Sequence, residues 1–172
     1  TGLAWKEEVN ALREICEKNQ ICALTERSRS GHGAHIWIFF EKAIPAEKAR
    51  KFGDALLEKG AESVNLKTFQ SYDRMIPAQN HLPEGGLGNL IALPLQGQAL
   101  KKGNSAFIDK NWKPFENQWK QLGKVQRLSE EFVDNCIKEW VGQEKTSTVE
   151  EIPKPWKKRT MTFNPKDLDG KL

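Results

Sequence analysis

An α+β fold is predicted from three features of the sequence. Residues 4 to 18 set Trp5, Val9, Leu12, Ile15 and Cys16 at helical spacing. Residues 21 to 27 and 35 to 40 are apolar, β-branched and aromatic runs joined by a loop with glycines at 31 and 33. Residues 46 to 59 and 129 to 141 return to a helical pattern. Such an order calls for helices packed on one face of a small sheet.

Taken in turn, the segment 4 to 18 is an amphipathic helix, and ICALTER, 21 to 27, is a strand. The loop SRSGHGA leads into HIWIFF, 35 to 40. Strand side chains alternate, so His35, Trp37 and Phe39 point one way while Ile36, Ile38 and Phe40 point the other. Pro45 suits the first turn of a helix over 46 to 59, which Gly60 is expected to stop. Residues 69 to 88 are irregular, with two prolines and three glycines, and a loop of that length in a compact domain tends to be functional. NLIALPLQ, 89 to 96, reads as a short strand whose proline suits an edge, and SAFID, 105 to 109, as another. Trp112, Phe115 and Trp119 sit at helical spacing and are expected to form a core-facing stripe; the alternative is aromatic interleaving for single-stranded nucleic acid. A last helix covers 129 to 141. The expected organisation is a core over 1 to 128, a helix over 129 to 142, and a linker and basic tail over 143 to 172.

With 172 residues, 38% apolar and 29% charged, the chain can bury roughly two-thirds of its unfolded surface without a metal or disulfide staple. No apolar run approaches the roughly 18 residues of a membrane span, and residues 1 to 20 lack a signal-peptide layout, so a cytoplasmic location and no membrane partner are expected. Cys16, Cys22 and Cys136 form no CxxC pair, which argues against a disulfide framework and a thiolate zinc site and for small buried hydrophobes. Charge is in blocks: seven Lys or Arg against two acids over 101 to 127, two Lys against seven acids over 129 to 151, then a basic tail. A basic surface of this kind fits a polyanion.

The loop 27 to 35 is the chief candidate for chemistry. Gly31 and Gly33 permit positive φ and close approach of backbone N–H groups to a ligand, Ser30 adds a hydroxyl, His32 and His35 can donate to phosphate oxygens, and Arg27 and Arg29 supply fixed positive charge. Together they read as an anion site fit for a triphosphate; a plain glycine-rich hairpin is the competing reading. A zinc site from His32 and His35 would need His81 to fold back. Asp73, among Tyr72 and Met75, has a hard oxygen ligand for a divalent cation, although an aspartate followed by Arg74 also reads as a local ion pair.

The segments ERSRSGHGAHIWIFF, YDRMIPAQNHLPEGGLGNLIALPLQ, GNSAFID and FENQW, over roughly residues 5 to 122, resemble the archaeo-eukaryotic primase superfamily. The resemblance is closest to the primase-polymerase domains of TOTE conflict systems, which occur alongside DEAD-type helicases. SGxGxH is also similar to an element of the polymerase domain of bacterial end-joining ligases. The resemblance implies an RRM-like palm, an antiparallel or mixed sheet with packed helices. It also implies template-dependent nucleotidyl transfer with Mg²⁺ or Mn²⁺, nucleoside triphosphates and single-stranded or primed nucleic acid as partners, and possible company with a DEAD-type helicase. Ser30 and His35 then match the motif that grips the triphosphate, His32 stands where relatives often carry Asn or Lys, Arg27 supports them, and Asp73 falls on a metal-binding acid. His35 and Asp73 are thus the implied catalytic pair, expected to converge on one nucleotide. The family's first motif, a strand ending in DxD that holds two metals, is expected upstream of Thr1, and the chain is read as a fragment. In-line transfer uses metals roughly 4 Å apart, which one aspartate cannot hold. The alternative is a nucleotide- and nucleic-acid-binding module with a degenerate site; a histidine-based phosphoesterase is a third reading.

Overall fold

The computed structural model describes residues 4–64, 69–82, 84–86 and 88–142. They form α1 (Ala4–Lys18), β1 (Ala23–Arg27), β2 (Ala34–Ile38), α2 (Ala46–Ser63), α3 (Gly97–Leu100), α4 (Gln118–Lys124) and α5 (Glu130–Gly142). This is the α+β class that the periodicities predict. The tail expected over 143 to 172 lies outside the described residues.

Helix α1 carries Glu7 in its first turn and Lys18 in its last, charges that complement the helix dipole. It ends where Gln20 takes a left-handed φ of 58°. There the Gln20 N–H donates to Glu17 O and the Ile21 N–H to Cys16 O, at 3.1 and 2.8 Å. These reversed bonds satisfy carbonyls that the helix end would leave open, and they drop Ile21 into the core. The chain then enters β1, which pairs antiparallel with β2 so that Glu26 faces His35 and Ala23 faces Ile38.

The two-stranded sheet is extended without further regular ladders. On the free edge of β1, Arg27 N–H donates to Ala106 O and Ile108 N–H to Thr25 O, each at 2.9 Å, so residues 106 to 108 run as a third strand where SAFID predicts one. Beyond β2, Phe40 makes a parallel bridge to Leu128. One face of the sheet, through Ala23, Ile38 and Phe40, packs on Ile15 and Cys16 of α1, Phe52, Ala55 and Leu56 of α2, and Val133, Cys136 and Trp140 of α5. Phe52 and Trp140 stack at 5.8 Å, which makes α5 a wall of this core. Burying a side chain such as Val133, at 0% exposure, contributes roughly 1.5–3 kcal/mol. Cys16 and Cys136 lie in the same cluster as small hydrophobes, and burial pushes the Cys16 thiol up to about 12, which leaves it inert.

Arg13 stitches α1 to the sheet's other strands. Its guanidinium donates to Thr25 Oγ1 at 2.8 Å and to the carbonyls of Ile108 and Asp109 at 3.1 and 2.7 Å, while lying 5.0 Å above the Trp112 ring. Trp112 in turn meets Trp5 edge to face at 5.0 Å.

Three expectations are corrected. Gly60 does not stop α2, which runs on to Ser63. A Cβ at Gly60 would stand 2.8 Å from Leu12 Cδ2 and 3.2 Å from Phe69 Cζ, so the glycine is there to let α1 and Phe69 close on the helix. Residues 89 to 96 form no strand: Pro94 lies in a bend, Leu95 takes a left-handed φ of 64°, and Leu90 is 94% exposed. The aromatic stripe divides: Trp112 packs on Trp5, whereas Trp119, on a helix that starts only at Gln118, is 72% exposed.

Filling the Gly60 contact overpacks the α1–α2 seam. Gly60→Leu is expected to lower stability by about 1–3 kcal/mol, read as a fall in the urea midpoint at unchanged slope.

Candidate nucleotide site

The hairpin loop owes its shape to local backbone bonds. Ser28 N–H donates to Gly33 O at 2.9 Å and Gly31 N–H to Ser28 O at 3.0 Å. Gly31 has φ +81°, and a Cβ there would stand 2.9 Å from Asn104 Oδ1, so both conformation and space demand glycine. The Asn104 amide donates to Arg29 O at 3.4 Å, which ties the loop to the turn before the third strand. At the tip, Ser30 Oγ lies 3.2 Å from Ser28 Oγ and accepts from the His32 N–H at 3.3 Å. Ser30 and His32 are both exposed.

His35 stands at the mouth of the sheet face that is turned away from the helices. Its Nδ1 lies 3.1 Å from Glu26 Oε2, and the same oxygen accepts from Trp37 Nε1 at 2.8 Å. Ser105 Oγ donates to Glu26 Oε1 at 3.2 Å. Glu26 is 2% exposed while the His35 side chain is 51% exposed, so the carboxylate is buried under a ring that still reaches solvent. Ser105, 1% exposed, also accepts the Gln96 N–H at 3.3 Å. The hydrogen bond that Glu26 accepts raises the imidazole's pKa above its ordinary value of 6.5, against the opposing effect of its partial burial. Nδ1 is occupied from below, and among the described residues Nε2 has no protein partner.

The predicted residues fall into separate groups. Ser30, His32 and His35 belong to one hairpin. Arg27 follows Glu26 in β1 and so points to the opposite face, where its guanidinium donates to the Trp112 carbonyl. Asp73 lies in a groove of about 200 Å³ with Arg50 and Asp54 of α2, Tyr72, Arg74, Met75 and Ala78. Its carboxylate accepts from Arg74 Nε at 2.9 Å, and none of residues 27 to 35 lines that groove. Helix α2 packs on the Ile38 face of the sheet, so the contacts described do not bring Asp73 to His35.

Among the described residues no three His, Cys, Asp or Glu side chains stand together as a metal-holding group. As arranged, these residues do not by themselves fit a divalent-cation site, and the three-histidine zinc set with His81 does not form. What the sequence reading passed over is the pair Glu26 and Ser105. The available signal was a charged residue inside an apolar strand, at a position whose neighbours alternate toward a core.

The class is that of a small α+β domain presenting a glycine-turned hairpin with Ser30 and His32 exposed at its tip. The family model of the TOTE conflict system archaeo-eukaryotic primase domain matches residues 2–136, well over half of the 172 residues, and the chain belongs to that family. The match takes in α5 as far as Cys136. No curated protein matches the chain. Among the described residues no helix is long and apolar enough to cross a membrane.

Because its folded-state pKa is raised, the His35–Glu26 pair contributes fully below pH 6.5 and loses that contribution as pH climbs through the folded value. A ¹⁵N NMR titration is expected to show the His35 ring releasing its proton above pH 6.5.

Proposed function

We propose that this domain is a template-dependent nucleotidyltransferase, the primase or polymerase part of its system, which holds a nucleoside triphosphate at the β1–β2 hairpin and nucleic acid on the basic surface over 101 to 127. The observation that carries this reading is the hairpin itself: exposed Ser30 and His32 flank a glycine held at positive φ, and His35 offers Nε2 on a ring fixed from below. Donors arranged around backbone amides with little room to rearrange suit phosphate oxygens. Phosphate positioning is also most of what a protein must do for phosphoryl transfer.

The template side is supported by the same correction that removed Trp119 from the core. Its exposed indole stands on α4 beside Lys120 and Lys124, in a stretch with seven basic residues against two acidic ones. Cations to track the backbone and an aromatic face for a base are what single strands require.

Mg²⁺ or Mn²⁺ is proposed as cofactor, with Asp73 as one oxygen ligand. This assignment rests on the sequence match, and it asks the Asp73–Arg74 pair to open and residues 69 to 82 to move toward the hairpin. The rival reading, a nucleotide- and nucleic-acid-binding module without catalysis, is favoured by that same pair. Primer extension with Mn²⁺ separates the two. The proposal expects extension by the full-length wild-type protein that His35→Ala and Asp73→Ala each reduce at least tenfold; binding without extension by that full-length protein selects the module. Activity surviving Asp73→Ala would remove the metal role alone.

Single-stranded DNA affinity is expected to fall as salt rises, with a log–log slope of about −0.7 for each phosphate neutralised. Trp119→Ala is expected to weaken that affinity by about 1–3 kcal/mol in fluorescence anisotropy. A flat salt response would count against the basic surface as a template track.

A further inference from the structure

A buried carboxylate in a small sheet needs a reason. Leaving a charge under an apolar layer is unfavourable unless it is paired and hydrogen-bonded, and an apolar residue of similar size is often the more stable choice. Glu26 is held on both oxygens: Ser105 donates to Oε1, and Trp37 and His35 lie on Oε2. Trp37 comes from β2, and Ser105 precedes the third strand, so the carboxylate cannot turn without breaking bonds to its neighbours on both sides. Its cross-strand partner in the register is His35. The one member of this network that reaches solvent substantially is the imidazole, at 51% exposure.

An exposed histidine on its own rotates freely and divides between two tautomers. Clamped at Nδ1, whose hydrogen the fixed carboxylate accepts, the ring has one orientation with Nε2 turned outward, and Nε2 carries a donor hydrogen when the ring is protonated. We propose that Glu26 is the positioning residue for His35, aiming Nε2 at a phosphate oxygen of a nucleoside triphosphate seated on the hairpin. This rests on the reading of the hairpin as a triphosphate site.

The electrostatics point the same way. The Glu26 hydrogen bond favours the protonated ring, and a cationic donor binds phosphate more strongly than a neutral one. Glu26 is the charged group in contact with the ring. The other groups bonded to Glu26 are Trp37 of β2 and Ser105 before the third strand, both uncharged. Arg27 is turned away on to the Trp112 carbonyl, and the remaining cations close along the chain are Arg29 and His32 of the loop.

The test uses the whole domain with ATP as probe, comparing wild type, Glu26→Gln, His35→Ala and the double variant by calorimetry across pH, with the His35 ring followed by NMR. Gln keeps the size of the side chain; its amide oxygen can accept from Trp37 while its NH2 donates to Ser105 Oγ. The expected result is a His35 pKa that falls toward 6.5 in Glu26→Gln. ATP affinity is expected to drop about tenfold above neutrality, with wild-type affinity regained at low pH where the ring protonates regardless; that tenfold corresponds to about 1.4 kcal/mol. The double variant should bind no worse than His35→Ala. If His35→Ala weakens ATP binding while Glu26→Gln leaves it unchanged, the positioning role is overturned and the triphosphate site stands. If His35→Ala itself changes nothing, both fail. Should Glu26→Gln not fold, the wild-type protein still decides: its ATP affinity, relative to His35→Ala, must decline as the His35 ring loses its proton, and a flat difference overturns the proposal.

Discussion

The site depends on a carboxylate that has been taken out of water. Glu26 sits where β1, β2 and the segment ending in the third strand meet, and its two oxygens are the point at which those three pieces are bonded through side chains. The backbone pairing of β1 with β2 fixes distance and register, but it does not specify where an imidazole ring points. That information comes from the carboxylate. Unsatisfying any one donor would leave a buried charge short of a partner, which costs about 1–3 kcal/mol or more, so the arrangement holds together or loosens as a unit.

The two faces of the hairpin divide the labour. Ala23, Thr25 and Arg27 of β1, with Ile38 and Phe40 after the turn, face the helices: Ala23, Ile38 and Phe40 enter the core, Thr25 accepts from Arg13, and Arg27 reaches Trp112. Glu26, His35 and Trp37 face the other way. A two-stranded sheet is marginal by itself. Here α1, α2 and α5 close one side, and Arg13 carries the attachment across to the third strand, so the opposite face can remain polar and half open without the hairpin losing its place.

Much of this was legible as period. The helical repeat of Trp5, Val9, Leu12 and Ile15 gave α1, the alternation from His35 to Phe40 gave the faces of β2, and Phe132, Val133, Ile137 and Trp140 gave α5. Local text failed where a distant partner decided the outcome. Gly60 reads as a stop, yet what it answers is the approach of Leu12 and Phe69 from elsewhere in the chain. NLIALPLQ has the composition of a strand, but a strand exists only if an edge is offered to it. Gln20 ends α1 in the conformation usually left to glycine, and nothing in its own neighbourhood announces that. Trp119 keeps helical spacing with Trp112 although no helix joins them.

The candidate site shows the same division between motif and space. A motif is linear, and SRSGHGAH keeps Ser30, His32 and His35 on one hairpin because a tight turn holds sequence neighbours together. Arg27 is just as near in sequence, but one step along a strand is a change of face, and its charge is spent on a carbonyl behind the sheet. Asp73 is further still, and its groove is built by α2. Glu26 is adjacent to Arg27 and carries the opposite sign, so charge counting around the loop would have subtracted it from an anion site. In the fold it has the opposite effect on local charge, because a carboxylate buried behind the imidazole favours the protonated, cationic ring. The sign of a residue near a binding loop therefore says little until its side of the sheet is known, and in this hairpin the parity of the strand decides it.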